Sequence, residues 1–570
     1  MPEPAWDRTV DLLVLGSGAA GLSAATTAAV RGLDTLLLEK TEYLGGTTAY
    51  SAGTCWIPGH RHQRALGETG EREAAARYLD QVVGDRAPRE LREAYLDRGP
   101  EMIDFFDEVG VRFWHSRTVV DYHPEVPGAG VGRALEPETF DGRRLGLEAF
   151  RRVRPPVPEF ALFGGTLMVR RAEVNQLLDL FRGSPRAVGL ALRLGVRWAL
   201  DRLRYPRGTR LAMGNALVAH LFHVFVQHGG RVSFTSTVKE LLTSGGRVVG
   251  AIVESRGREV RVRTRRGVVL AGGGFSASHA WREQHLPRPT PQFTRAAEGA
   301  TGDTLELGLR AGGVLGPDHG DNAFWFPASI GHRRDGSLMV FPHIWDRAKP
   351  GIVAVTRSGR RFTDESVSYD RFVRAMYAAN AQDESIPAWL VIDAAALHEY
   401  GLGMIRPHTP RVFLEKYVRG GYIHRADDLR VLAHRIGVNA EGLEHTVRAA
   451  NHAAITGVDD EFGKGTSTFG HQYGDPRHQP NVNLGPIRRA PFYALPVVPT
   501  PLGTARGLRT DARARVLDAD GTPVGGLYAA GNDADSPMAA EYPGAGCQVG
   551  AGMTFGYVAA MDAADRTDDA

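Results

Sequence analysis

Cysteine is nearly absent: Cys55 and Cys547 are the only two in 570 residues, almost the whole chain apart. That excludes a disulfide framework, zinc-ligand spacing and an iron–sulfur cysteine set, so no metal site is expected and a reducing cytoplasm fits best. Charge of one sign is missing too. The 68 Lys+Arg and 65 Asp+Glu leave a formal +3, which gives no electrostatic footprint for nucleic acid, so any basic feature must be local. No apolar run is long enough to span a bilayer; the nearest, residues 211–230, is diluted by Asn215, Gln227 and three histidines. The opening MPEPAWDRTVD carries acids and a proline and lacks a basic start with an apolar core, so no signal peptide is expected. Repeats and low-complexity segments are absent, and disorder is expected only in the acidic tail 562–570. What remains is an ordinary globular composition, 43% hydrophobic and 23% charged, over a length that suggests about two to four domains.

Residues 11–39, DLLVLGSGAAGLSAATTAAVRGLDTLLLE, organise the rest. They read as a strand, a glycine turn, a helix and a second strand ending in an acid. Gly16, Gly18 and Gly21 stand in G-x-G-x-x-G spacing, for a tight turn, close approach to a pyrophosphate and close helix–strand packing. The helix start at Ala19 and Ala20 offers free N–H groups and partial positive charge. Glu39, followed by Lys40, is placed to accept hydrogen bonds from a ribose diol. An adenine dinucleotide is expected here.

The next stretch, KTEYLGGTTAYSAGTCWIPG, is dense in Gly, Ser and Thr. Gly45, Gly46, Thr47 and Thr48, with Ser51 and Gly53 after them, supply backbone N–H groups and hydroxyls for a diphosphate or an isoalloxazine edge. The glycine turn, the acid and this GGTT loop together resemble the flavoproteins of the fumarate reductase and 3-ketosteroid dehydrogenase superfamily. The resemblance implies FAD. Covalent members carry a flavin-linking histidine in this loop, where this chain has Tyr50, Ser51 and Ala52, so FAD is expected to be non-covalent. It also implies a second FAD contact at Gly272, Gly273 and Gly274 after the strand Val268 to Leu270, an adenine contact at Val238, and a flavin contact from Gly531, Asn532, Gly546 and Val549.

The expected fold is α/β, a Rossmann-like FAD-binding domain completed by the C-terminus with an inserted mixed α+β cap. The domains are drawn at 1–287, 288–494 and 495–570. Inside the first lies an oddity, residues 181–210, FRGSPRAVGLALRLGVRWALDRLRYPRGTR. For a helix starting at Pro185, Arg186, Arg193, Arg197 and Arg204 fall within about 40° of one another. Val188, Leu192, Leu194, Val196, Trp198 and Leu203 spread over most of the remaining circumference. Leu200 on the basic face and Arg202 on the apolar one blur the pattern, and Asp201 is the only acid. Such a helix can lie in an anionic membrane surface, giving a cytoplasmic protein peripheral to the inner face of the membrane. The alternative is a helix packed on the body with a solvated Arg face.

Three tyrosines carry the closer resemblance, to the bacterial 3-ketosteroid Δ1-dehydrogenases. EYPGAG, residues 541–546, is similar to that family's tyrosine–proline–glycine signature, which implies that Tyr542 O–H and Gly546 N–H hydrogen-bond the C3 ketone. RRFTDESVSYDRF, residues 360–372, resembles the family's RF-x-x-E-x-x-x-Y segment and implies Tyr369 as the base at C2. VDYHPEVPG, residues 120–128, implies Tyr122 as its assistant. A phenol with pKa about 10 is a poor base at pH 7 unless neighbours lower it or transfer is concerted. The implied reaction is 1,2-dehydrogenation of a 3-ketosteroid, with electrons leaving to an external quinone-like acceptor. Two other readings stay open: a Δ4-(5α)- or fumarate-reductase-like flavoenzyme, though Tyr542 has no Arg beside it to grip carboxylates, and a membrane-surface electron-transfer flavoprotein.

Overall fold

A computed structural model of the chain describes residues 6–566 except 183 and 334, and the side chains of 171, 172, 175, 178, 181 and 182 lie outside that description. Strand β1 (Arg8–Leu15) is apolar on both faces from Leu12 onward, and Leu12, Leu13 and Val14 are fully buried. Continuous apolar strands of this kind belong in a parallel sheet covered on both sides. β1 lies between β2 (Thr35–Glu39) and Arg258–Leu270, parallel to both. Pro523–Ala529 from the far end of the chain joins the same sheet, parallel to Arg258–Leu270, and Arg231–Phe234 extends it beyond β2. The C-terminus therefore completes the N-terminal fold. Helix α1 (Ala19–Val30) is rich in Ala and buried along nearly its whole length. Small residues let it approach helix Cys547–Asp565 so closely that a Cβ on Gly556 would lie 2.3 Å from the Ala20 carbonyl oxygen.

A second, six-stranded sheet is built from Ala323–His332, Leu338–Pro342, Ile352–Val355, Ala388–Asp393, His424–Ala426 and Phe492–Thr504. Its central strand Phe492–Thr504 pairs with Ala388–Asp393 along one part and with Ala323–His332 along the other. The boundary drawn at 494/495 is therefore corrected, because it cuts one continuous strand of the cap sheet and ladder pairing holds a strand to its sheet whatever the local composition. The boundary drawn at 287/288 precedes the first strand of that sheet, Ala323–His332.

Two further expectations change. The tail is helical through Asp565, and Asp562 accepts the Tyr528 hydroxyl at 2.8 Å; residues 567–570 of the expected disordered segment lie outside the described residues, as do residues 1–5 of the N-terminal stretch. Helix Pro185–Asp201 turns Ala187, Leu190, Leu194 and Asp201 inward and leaves Val188, Leu192, Val196 and Leu200 exposed. The packed face is narrow because the element beneath it offers only a small apolar cluster containing Leu167 and Val169. Most of the apolar arc is thus outward. Among the described residues no helix is long and apolar enough to cross a membrane, and no group of three His, Cys, Asp or Glu could hold a metal.

Candidate active site and cofactor cleft

A cleft opens at the carboxyl ends of β1, β2, Arg258–Leu270 and Pro523–Ala529, where open α/β sheets bind ligands. Gly16, Gly18, Ala19 and Ala20 line it from the first turn, and Glu39 and Lys40 from the end of β2. Gly46, Thr47, Thr48 and Ser51 line it from the GGTT loop; Val238, Gly272 and Gly273 from the hairpin and the second glycine turn; Gly531, Asn532 and Val549 from the C-terminus. Gly21, Gly45, Gly53 and Gly546 do not line it. Gly21, Gly53 and Gly546 act by letting backbones meet: a Cβ on Gly21 would sit 1.8 Å from the Gly16 carbonyl oxygen, and one on Gly53 would sit 2.9 Å from Gly214, whereas Gly45 makes room for the Val218 side chain.

The residues present fit a dinucleotide. Gly16 holds φ +103°, and its missing Cβ would strike the Ala271 carbonyl oxygen at 2.2 Å, so the two glycine turns approach as only glycine permits. The N-cap of α1, Gly18, brings no side chain over the helix end. Thr48 Oγ1 accepts the Ala19 N–H at 2.9 Å, and the Gly45 N–H donates to Ser17 Oγ at 2.9 Å, which tie the GGTT loop to the first turn. Glu39 is oriented in advance: one carboxylate oxygen accepts from the Ser17 N–H at 3.2 Å and the Ser17 hydroxyl, the other from the Thr41 N–H at 2.9 Å and hydroxyl at 2.8 Å. A ribose diol reaches it only by sharing these acceptor positions. Lys40 turns away from a purely cofactor role, since its ammonium pairs with Asp303 at 2.7 Å.

Sequence reasoning missed several members of the cleft. Asp533 is fully buried and accepts the N–H of Gly272 at 2.6 Å and of Gly274 at 2.8 Å, fixing the second glycine turn; burial raises its pKa first, and these bonds oppose that. Its signal was an acid directly after the glycine–asparagine pair. Ala297, Gly299, Ala300 and Thr304 also line the cleft, with Ala297 N–H bonded to Thr47 Oγ1 at 2.9 Å. No local pattern marked them.

At one end of the cleft the three tyrosines come together. Ring centroids of Tyr122 and Tyr369 are 5.5 Å apart, those of Tyr122 and Tyr542 5.3 Å, and those of Tyr369 and Tyr542 5.2 Å. Tyr542 also lines the cleft, so it joins the cluster to the cofactor space. All three are buried.

Each reaches this point by different means. The Tyr122 N–H donates to the Pro543 carbonyl at 2.9 Å, binding its loop to the loop of Tyr542. Its neighbour Asp121 is buried, accepts the Trp56 indole N–H at 2.7 Å and pairs with Arg133 at 2.6 Å. Desolvation raises the Asp121 pKa to about 6 against the pull of Arg133. Tyr369 opens helix Tyr369–Asn380 behind the Ser368 cap. The rest of its RF-x-x-E-x-x-x-Y segment is an anchor: Arg361 meets both Glu365 oxygens at 2.8 and 2.9 Å and Asp459 at 2.8 and 3.0 Å, and Lys464 stands 3.2 Å from Glu365. Tyr542 follows Ala539 and Ala540, which adopt φ +46° and +66°. Non-glycine residues in this region cost about 1–2 kcal/mol each, so the turn must be held from outside. Arg374 does this, donating to the Ala540 carbonyl and to Glu541, both at 2.5 Å, while Arg86 also donates to Glu541.

Burial, then Tyr122 and Tyr542, raise the Tyr369 pKa well above the ordinary phenol value, and burial likewise raises Tyr542. The neighbours thus do not lower Tyr369. Gly546, at φ +88° and N-capping the last helix, has an N–H with no acceptor among the described residues.

A family model described as FAD binding domain matches residues 11–549. The chain is 36% identical over 561 residues to 4-oxocyclohex-2-ene-1-carboxylate 5-dehydrogenase of Sinomonas cyclohexanicum, covering 97% of this chain and 93% of that one. It is 35% identical over 570 residues to 3-oxosteroid 1-dehydrogenase of Mycolicibacterium smegmatis (strain ATCC 700084 / mc(2)155), covering 97% of each. Among solved structures it is similar to 3-ketosteroid Δ1-dehydrogenase from Sterolibacterium denitrificans in complex with 1,4-androstadiene-3,17-dione, with TM-score 0.89, 33% identity, and coverage of 98% of this chain and 99% of that one. The chain belongs to the FAD binding domain family, in the group of FAD-dependent oxidoreductases that includes the 3-ketosteroid Δ1-dehydrogenases.

Proposed function

We propose that the chain catalyses 1,2-dehydrogenation of a 3-ketosteroid. Tyr542 O–H and Gly546 N–H hold the C3 carbonyl oxygen as an oxyanion hole does, and Tyr369, assisted by Tyr122, removes the C2 proton. With FAD held non-covalently by cleft residues such as Gly16, Gly18, Glu39, Thr48 and Gly273, the flavin would supply the acceptor for the C1 hydride at N5, and the electrons would go on to an external quinone-like acceptor. The observation that carries this is the meeting of the buried Tyr122, Tyr369 and Tyr542 at one end of the cleft.

Because burial raises the Tyr369 pKa, a standing phenolate is the costly route and a concerted one is favoured. Tyr369 takes the proton from C2 while its own hydroxyl proton moves to Tyr542, whose proton moves to the ketone oxygen. Each tyrosine oxygen gains one bond to hydrogen as it loses another, and the ketone oxygen becomes a neutral enol O–H, which gives its proton back through the tyrosines as the hydride leaves C1, so no charge is left on the steroid. Tyr122 fixes the orientation of Tyr369 by donating to its oxygen.

A second reading takes the same chemistry to a smaller substrate, 4-oxocyclohexanecarboxylate, on the strength of the 34% identity over 571 residues to the 4-oxocyclohexanecarboxylate 2-dehydrogenase of Sinomonas cyclohexanicum. A peripheral membrane contact through residues 181–210 completes the partners. The deciding assay gives the flavin-loaded protein an artificial acceptor and either 4-androstene-3,17-dione or 4-oxocyclohexanecarboxylate. Steroid turnover that disappears in Tyr369→Phe and Tyr542→Phe, with flavin retained, is expected. No turnover of either ketone, or undiminished turnover in both variants, sinks the mechanism; turnover of the acid alone selects the second reading.

A further inference from the structure

Helix Pro185–Asp201 is fastened to the body along one narrow face. Leu190 and Leu194 pack on Leu167 and Val169, Trp198 Nε1 donates to Thr166 Oγ1 at 3.0 Å, and Asp201 accepts the Thr209 N–H and hydroxyl, both at 2.8 Å. The opposite face is apolar and open to solvent. Val188, Leu192, Val196 and Leu200 are 45%, 63%, 58% and 63% exposed, and Leu203 just beyond the helix is 84% exposed. At about 100° per residue the five aliphatics occupy an arc of about 120°. Arg186, Arg193 and Arg204 border this arc on one side and Arg202 on the other, all exposed. The only acid of the segment, Asp201, is buried and engaged.

Contiguous exposed apolar surface marks a binding face, and its basic rim selects the partner. Two copies meeting through this face would set arginine rim against arginine rim, while the one acid of the helix, Asp201, is buried on the opposite side and engaged with Thr209. An anionic lipid surface offers phosphates at the rim and acyl chains at the centre. We propose that this face docks the enzyme on an anionic bilayer, with Leu192, Val196, Leu200 and Leu203 entering the acyl boundary and Arg186, Arg193, Arg202 and Arg204 binding lipid phosphates. The proposal deepens the peripheral contact named in the proposed function, and it is independent of the tyrosine chemistry.

The test is co-sedimentation of the flavin-loaded enzyme, without substrate, with vesicles of phosphatidylcholine alone or mixed with phosphatidylglycerol. Sedimentation with the mixed vesicles is expected. The Leu192→Ser/Val196→Ser/Leu200→Ser variant should lose at least about tenfold in partition. Arg186→Ser/Arg193→Ser/Arg204→Ser should lose the preference for anionic vesicles. Turnover of a water-soluble ketone and the flavin absorbance should stay unchanged in both, because these exposed side chains lie outside the cleft. Wild-type protein that stays in the supernatant, or unchanged partition in the Leu/Val variant, overturns the proposal. So does a wild-type dimer that the Leu/Val variant converts to monomer without any vesicle binding, which would make the face an interface between copies. Failure here leaves ketone turnover intact, whereas failure of the catalytic reading leaves vesicle binding intact.

Discussion

Tyr122 donates its hydroxyl hydrogen bond to Tyr369 Oη across 3.1 Å, although 247 positions of chain separate them. The bond orients the Tyr369 lone pair without itself touching C2 in the proposed reaction. Tyr122→Phe should therefore lower kcat by about tenfold to a hundredfold, less than Tyr369→Phe, for which a general base predicts about 10²–10⁴. Steady-state kinetics with flavin content matched will check the order; equal losses would assign Tyr122 a direct role.

Arg374 links the two segments that present Tyr369 and Tyr542. It lies on the helix opened by Tyr369, donates to the Ala540 carbonyl and Glu541, and stands 2.9 Å from Asp321 and 3.3 Å from Asp370. Arg374→Ala should relax the strained turn at Ala539 and Ala540 and lower kcat/KM by about a hundredfold, the effect of a misplacement of about 1 Å. A cavity lined by Arg371, Arg374, His123 and Glu541 gives a small cation access to the vacated place. Added guanidinium should thus restore part of the activity, which general loss of fold would not allow.

Glu365 makes stability depend on pH. Burial would raise its pKa, but Arg361 and Lys464 outweigh that and hold it at about 2 against an ordinary 4.5. A carboxylate with a depressed folded-state pKa contributes stability above pH 4.5, and loses it as pH falls toward 2. The contribution is on the order of 3 kcal/mol. Thermal unfolding followed from pH 5 down to 2 should show a steep loss of Tm in the wild type. In Glu365→Gln that slope should flatten from an already lower Tm.

Gly16→Ala combines two faults, a Cβ 2.2 Å from the Ala271 carbonyl oxygen and a φ of +103°. The purified variant should carry little flavin by absorbance at visible wavelengths. Gly32→Ala has φ +84° but nothing within 4 Å, so strain of about 1–2 kcal/mol should lower its Tm while leaving flavin bound. A flavin-replete Gly16→Ala would remove the argument that the two glycine turns must touch.

Much of this was legible because the signals are local. A turn that only glycine allows, an apolar strand before it and a helix of small residues after it are consecutive in the chain, so Gly16, Gly18, Ala19, Ala20 and Glu39 could be named together. The RF-x-x-E-x-x-x-Y segment was equally readable as a pattern, but its physics was not. That Arg361 and Glu365 form a buried anchor depends on Asp459 and Lys464, which lie far along the chain. Asp533 and Ala297 escaped for the same reason, since each acts by meeting a backbone N–H or a hydroxyl contributed from elsewhere.

Helix Pro185–Asp201 marks the division most clearly. Its sequence determined that apolar and basic residues separate around an axis, because 3.6-residue periodicity requires only local order. Which arc faces inward depended on what lay beneath, and only the small cluster of Leu167 and Val169 was there to meet it. The sequence likewise determined the dinucleotide turn by itself. The meeting of three tyrosines was decided by the tertiary structure alone, because loops from three distant parts of the chain are held by hydrogen bonds that no single segment contains.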